Sequence, residues 1–269
     1  MLYQLDIYRR LLGVQLRSQM QYRTSFWLSL TGTGLVTFLE FAALGLTFQR
    51  FGTIQGWTLA EVAFLYGMVE LGFGIMDMVF GGFDPGFFGQ EVRLGTFDRL
   101  LLRPLNLNLQ VMSLDFALRR IGKIIIGVAI LGFGVTNASI DWTLLKVLYI
   151  PVILAGIVLF FGGLYLIGAG ITFWTIDSIE AINIVTYGGS YTISHPMHIY
   201  PSWLRQFFTF IVPAIFLNYY PALYVLGKSD PFGVPILFQF AAPAVGLMAF
   251  ILANQFWKFG VRHYRSTGS

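Results

Sequence analysis

Long apolar runs separated by short polar ones dominate the pattern of this chain. Runs at about 24–48, 58–80, 117–137, 144–174 and 236–257 are each long enough to be a membrane-crossing helix, since about 20 mainly apolar residues span a hydrocarbon core about 30 Å thick. Two further segments compete for one more crossing. The stretch 181–200 carries Asn183, Tyr187, Ser190, Thr192, Ser194 and His195, polar for a lipid-facing helix, whereas 206–227 is apolar but interrupted by Pro213 and Pro221. If the first crosses, the second must dip into one leaflet and return, which its prolines permit. The beginning of the chain follows a different pattern. Leu5, Tyr8, Leu12 and Leu16 step by three and four while Arg9, Arg10 and Arg17 lie off that stripe, as in an amphipathic helix resting on a membrane surface. The expected fold class is therefore an all-α polytopic membrane protein with six transmembrane helices, an N-terminal interfacial helix over 1–23 and one transmembrane domain over 24–269.

Composition agrees and excludes other classes. Hydrophobic residues make up 56% of the 269 positions and charged residues 11%, with a mean hydropathy of +0.70, against about 25% charged in soluble domains. The chain has no cysteine, which removes disulfides, Cys-ligated zinc, iron–sulfur clusters and thiol nucleophiles. No cleavable signal peptide is expected, because four arginines interrupt the first 23 residues without a continuous apolar core.

The net charge of +4 arises from basic residues beside apolar runs, where they orient helices, so no nucleic-acid partner is expected. Placing the N-terminal arginines, the 81–116 loop with the mouth of the third span, and the C-terminal tail in the cytoplasm puts 13 of the 17 basic residues inside. Arg50, Lys146, Arg205 and Lys228 then fall outside, and both termini are cytoplasmic. Arg119, Arg120 and Lys123 open the third span, where they are expected to snorkel to headgroups. Asp115 and Arg119, four apart, can pair.

Chemistry-bearing positions are few. There is no GxxxxGK[ST] phosphate loop, so the chain is not expected to bind ATP or act as an enzyme. His195 and His198 have a helical ligand spacing, but Pro196 between them and the lack of a nearby carboxylate argue for a structural or path-lining role over a metal site. Glu40 and Glu70 lie within apolar spans. A charge at the bilayer centre costs about 2.5–3.5 kcal/mol on insertion scales, so these carboxylates either line a path or are hydrogen-bonded between helices. Gly95–Pro104 reads as a short amphipathic helix with Thr96 at its N-cap, Phe97, Leu100 and Leu101 on one side, Asp98 in the first turn, Arg99 and Arg103 flanking it and Pro104 as its stop. It lies on the inner leaflet or docks into a cytosolic partner.

With that segment, the chain resembles the permease subunits of type-2 ABC exporters, in particular their antibiotic- and multidrug-export-like branch. GTFDRLLLRP at 95–104 matches the branch pattern G-x-F-D-x-x-L-x-R-P, and the basic N-terminal helix and six spans extend the likeness over nearly the whole length. The resemblance implies a coupling helix carried by Gly95, Thr96, Phe97, Asp98, Leu101, Arg103 and Pro104, docking into two copies of a cytosolic ABC ATPase that hold ATP and Mg2+. It implies a second permease, the same chain or a paralogue, and a bacterial inner-membrane location among membrane lipids. It also implies a re-entrant helical hairpin at 203–227, which favours 181–200 as the fifth crossing. The substrate path is then expected at Glu40, Glu70, Ser190, Thr192, Ser194 and His195, with a lipophilic or amphipathic small molecule as cargo. An ion-coupled secondary transporter or channel using the intramembrane carboxylates is the alternative, and a membrane-embedded enzyme a third reading that the lack of a convergent polar cluster disfavours.

Overall fold

A computed structural model describes residues 2–175 and 179–265. The side chain of Leu5, the first residue of the expected interfacial stripe, lies outside the described ones. Among the described residues the regular structure is helical, apart from one isolated bridge between Ile54 and Trp57. The helices are α1 Leu2–Gln21, α2 Arg23–Phe51, α3 Leu59–Phe80, α4 Pro85–Arg93, α5 Thr96–Leu101, α6 Leu107–Met112, α7 Ile121–Asn137, α8 Leu144–Ile171, α9 Ile179–Ile193, α10 Ser202–Gln206, α11 Tyr219–Leu226 and α12 Ala242–His263.

Four of these helical paths are long and apolar enough to cross a membrane: Arg23–Phe51, Leu59–Arg93, Leu144–Ile171 and Ala242–His263. At 1.5 Å per residue, the 17 residues of α7 and the 15 of α9 rise about 25 and 22 Å, short of the 30 Å core. The helix α7 starts four residues after the expected Ala117, behind a 3-10 turn at Leu118–Arg120. The helix α9 ends at Ile193, ahead of Pro196, whose ring disfavours helix at the residue before it. The glycine-rich stretch after Phe80 does not end the helical path as its composition suggests. A 3-10 turn at Gly81–Phe83 leads into α4, where Asp84 accepts from the backbone N–H groups of Gly86 and Phe87 at 2.9 and 3.1 Å.

Glycines spaced by seven hold the domain together. Gly67 and Gly74 on α3 meet α7 near Leu131 and Ile124, and Gly127 and Gly134 on α7 meet α3 near Leu71 and Phe64. A Cβ added at any of the four would come within 2.5–2.9 Å of the facing helix, so only glycine permits the approach. The second seam repeats the device: Gly156 and Gly246 place α8 and α12 in backbone contact, and Gly163 lies against Phe250 and Ala253. Small residues suit packing in lipid, where dispersion between close backbones replaces the hydrophobic effect.

The α3–α7 seam brings opposite charges together. Lys123 Nζ lies 3.0 Å from Glu70 Oε2 and 5.0 Å from the centre of the Phe73 ring, and Arg120 Nε lies 2.7 Å from Asp77 Oδ2. These cations therefore do not snorkel to headgroups as expected. The antiparallel register sets each beside a buried carboxylate, so that opposite charges at depth neutralise one another. Asp115 and Arg119 form the pair expected from their spacing, at 3.4 Å.

Contacts sort the helix ends into two groups. At one end, Thr58 and Glu61 form a capping box on α3, and Lys228 Nζ reaches Glu61 Oε1 at 2.7 Å and the Gly56 carbonyl at 3.0 Å. At the other, α1 is fastened by Gln15 to the Leu114 carbonyl and by Gln19 to the Phe116 carbonyl, beside α4 to α6. Between α9 and α12 the chain runs through Ser202–Ile211 and Ala214–Leu226, two arms bent by 75° at Pro213. At the bend, buried Asn218 donates to the carbonyls of Leu65 and Ile193 at 3.1 and 2.8 Å, tying it to α3 and α9.

The ion-pair geometry makes a prediction about stability. Lys123→Met alone, which leaves Glu70 buried without its cation, lowers the stability of the purified chain by about 3 kcal/mol. Adding Glu70→Gln recovers most of it. Thermal unfolding in one detergent checks both.

Candidate functional site

The 95–104 segment is held from one side and open on the other. Gly95, at φ 67°, turns the chain in the left-handed region that glycine adopts without strain. It, and not Thr96, is the N-cap of α5. Thr96 sits in the first helical position, with its hydroxyl donating to the Glu91 carbonyl and carboxylate. At the other end of the segment, Gln110 Nε2 donates to the carbonyls of Leu100 and Leu105, both at 3.2 Å, which ties the end of α5 and the turn after it to α6.

Phe97 is fully buried. Its ring lies 5.2 Å from Phe88 on α4, 5.3 Å from Phe173 just past α8, 5.1 Å from Tyr264 just past α12 and 6.3 Å from Trp257 on α12. Phe83 adds an edge-on contact to Trp257 at 5.0 Å. Burial, then the hydrogen bond and charge of Asp98, push the Tyr264 phenol up to about 12, so Asp98 faces the C-terminal end of α12. Two of the expected docking residues thus point inward: Phe97 and Asp98 fasten α5 to the ends of α8 and α12. The outward surface consists of Leu94, Arg99, Leu101, Leu102, Arg103 and Pro104, with Leu102 85% exposed. Of these, Leu94 and Leu102 were not singled out in the sequence motif.

The expected path residues separate into three groups. Glu40 and His195 meet in one crevice of about 250 Å3, lined also by Leu44, Thr47, Tyr66 and Tyr191. Tyr66 donates its hydroxyl to Glu40 Oε2 at 3.0 Å, and the Tyr66 and His195 rings stand edge to face at 6.4 Å. Nδ1 of His195 lies 3.0 Å from the Tyr191 carbonyl and 2.9 Å from Ser194 Oγ. Glu70 is apart from this crevice in its pairing, held by Lys123. Ser190, Thr192 and Ser194 donate to the carbonyls of Tyr187, Gly188 and Tyr191, returning their hydroxyls to their own backbone. That back-bonding is what an apolar surrounding favours.

Sequence reasoning did not find Phe173, Trp257 or Tyr264, because aromatic residues near span ends are common interfacial anchors in any membrane protein. Tyr66 and Tyr191 lie within helices α3 and α9, where nothing in the local sequence distinguishes them from other packed aromatic residues.

In the comparison with known proteins, residues 35–268 match the family model described as ABC-2 family transporter protein. The matched stretch includes the crevice residues, the 95–104 segment and the aromatic cluster that holds it. No curated protein and no solved structure matches the chain.

The two sides of α5 predict opposite outcomes for two truncations. Phe97→Ala, which empties an aromatic core position, lowers the stability of the isolated chain by about 3–5 kcal/mol. Leu102→Ala changes it by less than about 0.5 kcal/mol. Denaturation of the purified chain, with no other protein present, checks both.

Proposed function

The chain belongs to the ABC-2 transporter family, and from that premise we propose that it is the permease of an ATP-driven exporter whose lever is the 95–104 segment. The family partners with an ATPase subunit in an ABC transporter. The observation that carries the reading is the two-sided construction of α5, apolar and basic outside, locked to α8 and α12 inside. A partner pressing on Leu94, Leu101, Leu102 and Arg103 moves a rigid body, because Phe97 has no free volume to absorb the displacement. Motion then reaches the ends of α8 and α12 together, which the glycine seam at Gly156 and Gly246 joins along their length. ATP and Mg2+ belong to two copies of that partner.

We read six crossings, α2, α3, α7, α8, α9 and α12, with both termini in the cytoplasm of a bacterial inner membrane. The alternation of helix ends between the two contact groups supports this. The bent pair of arms over 202–226 is read as re-entrant. In support, Arg205 at its start lies 4.4 Å from the Phe232 ring, while Lys228 at its end lies 4.9 Å from the Trp57 ring, and both cations act on His198. On this reading entry and exit share one side.

Glu40 is exposed on α2, as are Tyr187 and Tyr191 on α9. A carboxylate at that depth needs protein or water beside it, which supports a second permease, the same chain or a paralogue, across this face. The crevice with Tyr66, Tyr191 and His195 is then the place for cargo contacts, and its aromatic walls suit a lipophilic or amphipathic small molecule of the kind handled by the antibiotic and multidrug branch. An ion-coupled carrier fits less well, because Glu70 and Asp77 already hold Lys123 and Arg120 at 3.0 and 2.7 Å.

Two experiments test the proposal. The tagged chain, purified in mild detergent from its host, recovers an ATP-binding subunit in about equal amount, and Leu101→Glu with Leu102→Glu lowers that recovery at least about tenfold. Unchanged recovery returns α5 to a surface helix. In a chain without native cysteine, Arg205→Cys and Lys228→Cys both react with an impermeant reagent from outside. Labelling from opposite sides makes the 202–226 element a crossing.

A further inference from the structure

A second polar cavity, apart from the crevice and from the outward face of α5, opens between α6 and the end of α12. It has a volume of about 380 Å3 and is lined by Asn106, Leu107 and Asn108 from α6 and its cap, and by Asn254, Trp257, Lys258, Val261 and Arg262 from α12. No carboxylate is among the lining residues, and among the described residues neither Lys258 nor Arg262 has an acidic partner.

The hydrogen bonds in its wall have a fixed direction. Trp257 Nε1 can only donate, and it donates to Asn108 Oδ1 at 2.9 Å. Asn108 is thereby oriented, and its Nδ2 donates to Asn254 Oδ1 at 2.8 Å. The chain of donation ends on Asn254, whose own amide N–H groups have no acceptor among the described residues. Asn106 is oriented in the same way, since its Oδ1 accepts the backbone N–H of Leu109 at 3.3 Å, again leaving its amide N–H groups over. Each asparagine oxygen already accepts one bond inside the protein, whereas the amide N–H groups of Asn106 and Asn254 and the two cations are left over toward the cavity. That inventory suits an anion and disfavours a cation or a hydrogen-bond donor.

The surroundings select the kind of anion. Lys258 and Arg262 lie in the last two turns of α12, at the end where α5 and α6 sit. Leu247, Ile251, Asn254 and Lys258 follow one another by three and four on one face of α12, and Leu247 and Ile251 are exposed. An apolar stripe thus runs from the cavity toward the middle of the span. A free phosphate has no use for such a stripe, whereas acyl chains do.

We propose that this cavity binds the headgroup of an anionic phospholipid of the cytoplasmic leaflet, with Lys258, Arg262 and the Asn254 amide on the phosphate and the acyl chains along Leu247 and Ile251. Basic cavities between transmembrane helices at the cytoplasmic surface bind such headgroups. The proposal rests on the cytoplasmic placement of the α12 end. Trp257, the floor of the cavity, is also in contact with Phe97, so an occupied site would brace the cluster that holds α5.

Native mass spectrometry of the purified chain alone, incubated with phosphatidylglycerol or with phosphatidylcholine of the same acyl chains, tests it. The wild type retains phosphatidylglycerol at least about fivefold better. Lys258→Gln with Arg262→Gln abolishes the preference, and Arg9→Gln with Arg17→Gln, which removes equal charge from exposed positions of α1, keeps it. Equal retention of the two lipids by the wild type, or equal loss from both double variants, overturns the site, since general surface charge then accounts for the binding. Displacement of the lipid by millimolar inorganic phosphate overturns the lipid assignment in favour of a free anion. Because no ATPase is present, a chain that shows no lipid preference yet recovers its ATPase sinks this inference alone. A chain that holds the lipid and recovers no ATPase sinks the exporter reading instead.

Discussion

Backbone contact between α3 and α7 is the constraint on which the rest of the molecule depends. Gly67 and Gly74 on one helix and Gly127 and Gly134 on the other remove the side chains that would hold the axes apart. Once the helices touch, their register is fixed, and Lys123 and Arg120 have nowhere to go except beside Glu70 and Asp77. Burying any one of these four groups alone in a membrane domain would be strongly unfavourable, so the pairs act as a register lock, penalising a slip by one turn. The same seam sets the positions of Tyr66 and of the Asp77 end of α3, from which the crevice and the α4–α6 region are built.

The second seam, between α8 and α12, joins the two helices to which α5 is fastened. Aromatic rings from α4 and from the ends of α8 and α12 enclose Phe97, and offset and edge-on contacts among them give the cluster a defined shape as well as apolar burial. Asp98 adds a polar tie to Tyr264. A helix as short as α5 has little stability of its own. Its conformation is imposed by the αL turn at Gly95, the two carbonyl bonds from Gln110 and the anchor at Phe97. A motif that reads as a contact surface for a partner is therefore two-sided, one side exposed and the other attached to the domain.

The end of the domain opposite α5 is tied by long-range polar bonds. Lys228 reaches Glu61 and the Gly56 carbonyl, and Asn218 bridges α3 and α9 at the bend. These bonds connect the 202–226 element to the helices that bear Tyr66 and His195. Any movement of that element away from those helices would require some of these bonds to break.

Readable in the chain alone are the membrane class, the approximate limits of the long helices, a helix at the start and the existence of a short element at 95–104. Each of these follows from local information: hydropathy over a window, charge beside it, and turn residues at its edges. The seven-residue spacing of glycines is also present in the chain, but spacing does not say which helix faces which. Only the tertiary structure decided that Lys123 pairs with Glu70 and not with headgroups, that Phe97 points inward, and that Glu40 shares a crevice with His195 while Ser190 and Thr192 bond their own helix. The first three depend on contacts between residues distant in sequence: Lys123 with Glu70, Phe97 with Phe173 and Tyr264, and Glu40 with His195. In a helical membrane domain every span is apolar on most sides, so the pattern that separates inside from outside in a soluble protein is nearly silent, and the pairing of helices is set by close packing and by the need to neutralise the few buried charges.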